Sequence, residues 1–270
     1  LGDKDGTEKA FAEADHVVSL DVLNNRVTAV PIEPRGCIAS YDAAEDKYTL
    51  YNASQNVHAN RDTFAEVLNI DPAKLDHIAP DVGGGFGPKV QAYPEEFVIP
   101  ICAQMLGVPV KWIEDRREHL LCTVQERDQT WSVEMALDAE GKLLGVRGRM
   151  RHDQGAYLPW GVIAPYISTV TMPGPYVLPA YDLETQVMFT NKVPTAPLRG
   201  AGRPQAVFAM ERLFDLAADR MGLDRADLRR RNLIPAEAMP YSVGLIFRDG
   251  QPLIYDSGDY PRCQQIAEEK

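Results

Sequence analysis

Residues 82–90, VGGGFGPKV, place four glycines around a single phenylalanine, between a predicted strand and a predicted helix. Phosphate groups often bind in this setting, because the first N–H groups of a helix point toward the ligand. The spacing fits neither common phosphate motif: Pro88 stands where GxGxxG needs its third glycine, and it separates Gly87 from Lys89 of a P-loop. A plain turn needs only one or two glycines. The additional glycines therefore predict a buried loop approached by a rigid ligand, with Phe86 as a packing wall.

A second glycine-rich segment, PLRGAGRPQ at 197–205, lies at the start of the most regular helical pattern in the chain. A helix N-terminus flanked by Arg199 and Arg203 suits an anionic or polar ligand. The alternative is that both arginines are surface residues beside a helix cap, and this explains the same residues equally well. The residues alone leave both interpretations open.

The elements that must position these loops alternate without strict βαβ order. Periodicity and turn residues predict strands at 16–23, 36–42, 47–54, 74–80, 109–114, 129–137, 143–154 and 184–190, and helices at 57–70, 95–107, 204–222 and after Asp224. This mixture predicts an α+β fold with mixed sheets and packed helices.

Composition excludes several classes of function. The 270 residues carry a net charge of −11, which argues against nucleic acid as a partner. The four cysteines contain no CxxC pair and the five histidines no HxH or HExxH, so neither an iron–sulfur cluster nor a protein-ligated zinc is expected. Widely spaced cysteines favour a reduced, cytoplasmic protein. Prolines interrupt the longest apolar stretch, and it is shorter than the ~20 residues of a membrane span. Both ends of the chain look cut, so a longer parent protein is expected.

Many segments in register resemble the molybdenum-binding large subunit of the xanthine dehydrogenase and aldehyde oxidase superfamily, and most closely its carbon monoxide dehydrogenase branch. The matching segments are AFAEADHVV (10–18), EPRGCIASYD (33–42), SQNVH (54–58), DVGGGFGPKV (81–90), PVKWIEDRREHL (109–120), DQGAY (153–157), FTNKVP (189–194), LRGAGRPQAVFAMERLFD (198–215), LRRRNLI (228–234) and YDSGDY (255–260). The resemblance covers almost the whole chain.

The resemblance implies a molybdenum ion held by the dithiolene of a pterin, in the cytosine dinucleotide form, with no direct protein ligand. It implies that Gln55 hydrogen-bonds an oxygen ligand of the metal; without the resemblance, Gln55 is more simply a polar residue ending a strand. It also implies that Phe86 forms a wall of the substrate pocket and that Arg199 stabilises developing negative charge. Glycines would let the backbone approach the cofactor. The residues expected to line it are Gln55, Gly84, Gly85, Phe86, Gly87, Arg199, Gly200 and Ala201.

The implied reaction is oxidative hydroxylation of an aldehyde or an N-heterocycle, with water as the oxygen source. Electrons would leave through an iron–sulfur small subunit and an FAD-binding medium subunit. Residues 1–270 would form the first cofactor-binding lobe, with approximate subdomains 1–115 and 116–270. The N-terminal and C-terminal domains of the parent subunit, including a second lobe with the catalytic glutamate, would lie outside this chain. A non-catalytic binding or assembly module is the alternative, and a nucleotide-binding domain is a third.

One position departs from the carbon monoxide dehydrogenase pattern. Those enzymes carry a copper-binding cysteine where this chain has Gly200, so carbon monoxide oxidation is not expected. Three other charged groups are interpreted structurally: Glu95 and Glu96 as the first turn of a helix, the run 112–119 as an ion network, and 229–231 as a solvated or subunit-facing surface.

Overall fold

A computed structural model describes residues 1–270. The strands are β1 (His16–Asn24), β2 (Gly36–Asp42), β3 (Lys47–Asn52), β4 (Leu75–Ile78), β5 (Val110–Ile113), β6 (Gln129–Leu137), β7 (Leu143–Gly155), β8 (Ala180–Phe189), β9 (Tyr241–Ile246) and β10 (Pro252–Tyr255). The helices are α1 (Lys4–Ala12), α2 (Val57–Leu68), α3 (Pro94–Leu106), α4 (Arg116–Cys122), α5 (Ile163–Thr171), α6 (Arg203–Met221), α7 (Arg225–Asn232) and α8 (Tyr260–Glu268).

The chain forms two compact units, each built from separate stretches of sequence. Unit 1 contains residues 1–26, 127–191 and 200–270, and unit 2 contains 27–126 and 192–199. This division differs from the approximate boundary expected after residue 115. The reason is that β1 pairs along its whole length with β6, which places the N-terminal strand among later segments. Residues 192–199 likewise belong with the earlier part of the chain.

Unit 1 is built on a four-stranded sheet in the order β1-β6-β7-β8. The first two pairings are antiparallel and β7 runs parallel to β8. Helix α6 contributes to the same core, where Met210, Leu213 and Phe214 are buried together with Trp131 of β6. Val207 is 50% exposed, because the buried stripe of this helix follows Ala206 and Met210.

Unit 2 is built on a second four-stranded sheet, in the order β4-β3-β2-β5. Strand β2 pairs antiparallel with both β3 and β5, whereas β3 and β4 are parallel. Helices α2 and α3 pack on this sheet around Leu50, Phe64 and Ala103, which are fully buried. The predicted α+β class with mixed sheets and packed helices is confirmed.

The sequence did not reveal several short elements. Helices α1 and α4 were missed, as were α5 in the proline-rich middle and the β9–β10 hairpin. In α5, Pro165 occupies the first turn, where a missing N–H costs little. No helix in the structure has the length and apolar character that crossing a membrane requires.

Candidate functional site

Gln55 lies three residues after β3, against the glycine loop of unit 2. Its backbone N–H donates to the carbonyl of Lys89 at 2.8 Å, and its side-chain Oε1 accepts from the N–H of Gly87 at 2.9 Å. A backbone N–H only donates, so the atom facing Gly87 must be the amide oxygen. The Nε2 group therefore points elsewhere, makes no hydrogen bond to the protein, and belongs to an exposed residue. Gln55 thus presents a fixed donor.

The glycines of the loop are required by contacts within unit 2. A Cβ on Gly83 would lie 2.5 Å from Cβ of Glu33, and a Cβ on Gly85 would lie 2.3 Å from Oε1 of Gln55. These contacts differ from the expectation of a buried loop shaped by a rigid ligand. Within the loop, Gly83 and Phe86 are exposed, Pro88 and Lys89 are buried and the other residues are partly buried, so the loop is only partly buried, and contacts within its own chain account for the missing side chains.

Gly87 joins the loop to the segment 197–199. Its φ is 117°, and an added Cβ would lie 2.0 Å from the carbonyl oxygen of Pro197. Next to it, the carbonyl of Phe86 accepts a hydrogen bond of 2.8 Å from the N–H of Arg199. The two predicted site segments of unit 2 are therefore in direct contact through their backbones.

Phe86 has a left-handed backbone, with φ 55°, which costs a non-glycine residue of order 1 kcal/mol. Its ring packs on Gly84, where an added Cβ would lie 2.8 Å from Cε2. The residue is still 42% exposed. Phe86 therefore offers an apolar surface beside the loop, as a pocket wall requires.

Arg199 is exposed, and its guanidinium makes no hydrogen bond or ion pair in the structure. In unit 1, Gly200, Ala201 and Gly202 are consecutive left-handed residues, with φ of 106°, 48° and 91°, and they lead into α6. Their three N–H groups donate to no protein atom. Arg199 and residues 200–202 therefore both present hydrogen-bond donors that no protein atom uses.

The donors of each unit suit an anionic, oxygen-rich group. In unit 2 they are the amide N–H₂ of Gln55 and the guanidinium of Arg199. In unit 1 they are the backbone N–H groups at the start of a 19-residue helix, where the helix dipole favours negative charge. The structure contains no group of three or more His, Cys, Asp or Glu side chains able to hold a metal ion.

Sequence reasoning missed the ion pair of Glu33 and Lys89, which adjoins the loop. The Lys89 ammonium donates to a carboxylate oxygen of Glu33 at 2.8 Å, and its side chain is completely buried. The only sequence signal was a lysine following the glycine loop. Its partner lies 56 residues away, and no local pattern identifies it.

The run 112–119 contains the expected ion network. Glu114 is buried and accepts hydrogen bonds from Nη2 of Arg35 at 2.6 Å and from Nδ1 of His119 at 2.8 Å. Burial favours the neutral acid, but the hydrogen bonds from Arg35 hold the pKa of Glu114 below its ordinary value. Asp115 and Glu118 form the capping box of α4, each accepting from the other's backbone N–H. These groups stabilise unit 2 locally.

Glu95 and Glu96 occupy the first turn of α3, as expected, but Glu96 is buried. Burial raises the pKa of Glu96 to about 7. The Arg229–Arg231 run was expected to be a solvated or subunit-facing surface, and Arg230 and Arg231 are exposed. Arg229 is instead paired with Glu211 at 2.6 Å and with Asp215 at 2.9 Å, so it links α7 to α6 within unit 1.

Comparisons with known proteins identify a family and relatives that match most of the chain. The family described as "Molybdopterin cofactor-binding domain" matches residues 2–233. The gamma subunit of the 6-hydroxypseudooxynicotine dehydrogenase complex of Paenarthrobacter nicotinovorans is 40% identical over 255 residues, which are 93% of this chain and 32% of that protein. The carbon monoxide dehydrogenase large chain of Afipia carboxidovorans is 37% identical over 274 residues, covering 99% of this chain and 33% of that protein.

The solved structure of quinoline 2-oxidoreductase from Pseudomonas putida 86 has a similar fold. It superposes with a TM-score of 0.89 at 33% identity, covering 97% of this chain and 33% of that one. This chain therefore spans about a third of the length of the relatives it matches.

Proposed function

This chain belongs to the family of molybdopterin cofactor-binding domains, and we propose that it forms the first cofactor-binding lobe of a molybdenum hydroxylase large subunit. When bound, the molybdenum cofactor supplies two-electron oxidation with water as the oxygen source. The substrate class that we propose is an aldehyde or an N-heterocycle. The names of two relatives, a 6-hydroxypseudooxynicotine dehydrogenase subunit and a quinoline 2-oxidoreductase, support the N-heterocycle.

The fixed amide of Gln55 is the observation that carries the proposal. Its oxygen is occupied by the Gly87 N–H, so its Nε2 is held as a donor before any ligand binds. A donor with a fixed orientation stabilises an oxygen ligand of the cofactor without reorganisation, which is the main source of electrostatic catalysis.

The other residues have separate roles. Arg199 supplies a free positive charge that stabilises negative charge developing on the substrate. Phe86 gives the apolar wall against which the substrate is oriented. The backbone at Gly84, Gly85 and Gly87 lies alongside the cofactor. Gly200 and Ala201, in unit 1, are the remaining residues that the family resemblance assigns to cofactor binding, and their N–H groups donate to no protein atom.

The parent protein supplies what this chain lacks. We assign most of the remaining cofactor contacts and the glutamate base to a second lobe of the same subunit. Electrons pass to an iron–sulfur small subunit and an FAD-binding medium subunit in the cytoplasm. The cofactor is assigned the cytosine dinucleotide form. The gamma-subunit and large-chain names of two relatives support a multi-subunit assembly.

The decisive experiment replaces Gln55 in the full-length subunit, expressed with its partner subunits. Gln55→Glu keeps an oxygen for the Gly87 N–H but exchanges the free donor for a carboxylate oxygen. We expect turnover per bound molybdenum to fall about 10²- to 10³-fold, the usual effect of removing one donor from a catalytic site. Gln104→Glu makes the same chemical change on the exposed surface of α3 and should leave turnover unchanged.

Two further variants separate the roles. Gln55→Ala should lower turnover or metal retention, whereas Phe86→Ala should mainly change KM and substrate preference, because it removes a wall. Normal kinetics in the Gln55 and Phe86 variants together would show that neither residue lines the site.

A non-catalytic binding or assembly module is the alternative. A module without metal chemistry does not require a hydrogen-bond donor fixed at Gln55. Mass-spectrometric analysis of metal and pterin in the full-length complex, after expression with molybdate, distinguishes the two. A complex that lacks both would favour the module.

A further inference from the structure

Both ends of the glycine loop are attached to one residue, Glu33. One carboxylate oxygen, Oε2, accepts from the N–H of Gly83 at 2.7 Å and from Nζ of Lys89 at 2.8 Å. The Glu33 N–H donates to the Gly83 carbonyl at 3.2 Å, and Nζ of Lys89 also donates to the Glu33 carbonyl at 2.9 Å. Four hydrogen bonds therefore fix the loop where it begins and where it ends.

The attachment continues directly to Gln55. The carbonyl of Lys89 accepts from the Gln55 N–H, and two residues earlier the Gly87 N–H donates to the Gln55 side chain. Both hydrogen bonds of Gln55 are therefore made with the loop segment that ends at Lys89. Any shift of Lys89 moves one of its two anchors and tilts its free donor.

Burial makes this arrangement sensitive to charge. The Lys89 side chain is fully buried, whereas Glu33 is 41% exposed in its side chain. An ammonium without a counter-charge in such a place is strongly unfavourable, whereas a partly exposed carboxylate is solvated by water. Removing Glu33 alone therefore destabilises more than removing Lys89 alone.

From these contacts we infer that Glu33 and Lys89 are positioning residues for the Gln55 donor. The inference rests on the proposed function, since it assumes that the orientation of Gln55 matters for turnover. Neither side chain is assigned to touch the cofactor or the substrate. Their effect is exerted through the backbone of residues 83–89.

The test compares Glu33→Gln, Lys89→Met and the double variant in the full-length complex. Hydrogen exchange is followed by mass spectrometry in peptides covering 50–58 and 82–91. Both single variants should exchange about tenfold faster in these peptides, as expected when a charge-assisted hydrogen bond is lost. Glu95→Gln is the matched control: its carboxylate has a similar exposure and also pairs with a buried cation, Arg35. It should leave both peptides unchanged.

The double variant separates positioning from stability. It removes both charges, so its Tm should recover toward the wild-type value relative to Glu33→Gln. Its loop exchange should stay fast, and its turnover per molybdenum, like that of both single variants, should be about tenfold lower than in the wild type. Recovery of turnover together with Tm would overturn the inference, because the pair would then act only through stability.

Unchanged exchange in both single variants would also overturn it, even in an active complex. A wild-type complex without molybdenum would instead contradict the proposed function. In that case, faster exchange in the single variants would still support the anchoring of the loop by Glu33 and Lys89.

Discussion

Replacing Gly87 by alanine should separate the two segments that meet at the proposed site. The residue has a φ of 117°, and its added Cβ would lie 2.0 Å from the Pro197 carbonyl oxygen and 2.9 Å from Cα of Leu198. Both neighbours are backbone atoms, which cannot rotate away as the end of a side chain does. The loop and residues 197–199 must therefore move apart.

The cost can be worked from the contacts. The backbone conformation alone costs alanine of order 1–3 kcal/mol. Moving the segments apart also breaks the Arg199 N–H to Phe86 carbonyl bond and weakens the Gly87 N–H to Gln55 bond. Each is worth about 0.5–1.5 kcal/mol. Gly87→Ala should therefore lower the unfolding free energy of unit 2 by about 2–6 kcal/mol.

Gly107→Ala provides the control in the same unit. Gly107 has a φ of 69°, and an added Cβ would meet nothing within 4 Å, so only backbone strain of about 1 kcal/mol remains. Urea-dependent hydrogen exchange in peptides from β2 and β3 measures the stability of unit 2 by itself. If Gly87→Ala costs no more than Gly107→Ala, the close approach to Pro197 is not maintained in solution.

Three further predictions concern the substrate, the isolated chain and pH. Carbon monoxide should not be oxidised, because Gly200 has no sulfur to bind copper, and a side chain there would start with a Cβ only 2.5 Å from Cγ of Pro204. Dye reduction that depends on carbon monoxide, with one copper per molybdenum, would contradict this. The 270-residue chain alone should be folded but inactive toward aldehydes and N-heterocycles and free of molybdenum, since it spans a third of its relatives; metal analysis and a dye-reduction assay check this. The pKa of Glu96 is about 7 in the fold against an ordinary 4.5, so the unfolded chain releases its proton first and stability should fall as pH rises from about 4.5 to 7. Glu96→Gln should remove this dependence and be more stable than wild type at pH 8 by roughly 3 kcal/mol at most. If the difference in unfolding free energy between wild type and Glu96→Gln is the same at pH 5 and pH 8, the assignment is wrong.

Local patterns in the sequence were sufficient for the main elements. The spacing of apolar residues and the glycine at 222 predict α6 to within a residue of its observed ends. Asp224 caps α7 by accepting from the N–H groups of Ala226 and Asp227. These features follow from interactions between residues a few positions apart, which the sequence displays directly. The same letters, matched in register to a known family, also indicated the α+β fold and the cofactor class.

The detailed geometry of the site depends on tertiary structure. The sequence shows four glycines at 83–87 but not that Glu33, Gln55 and Pro197 lie against three of them, where a side chain would need space. It shows a glutamine at 55 but not that the Gly87 N–H fixes which end of the amide is free. These partners are between 30 and 110 residues apart along the chain. Their meeting depends on how strands pair and helices pack, and no local spacing encodes that.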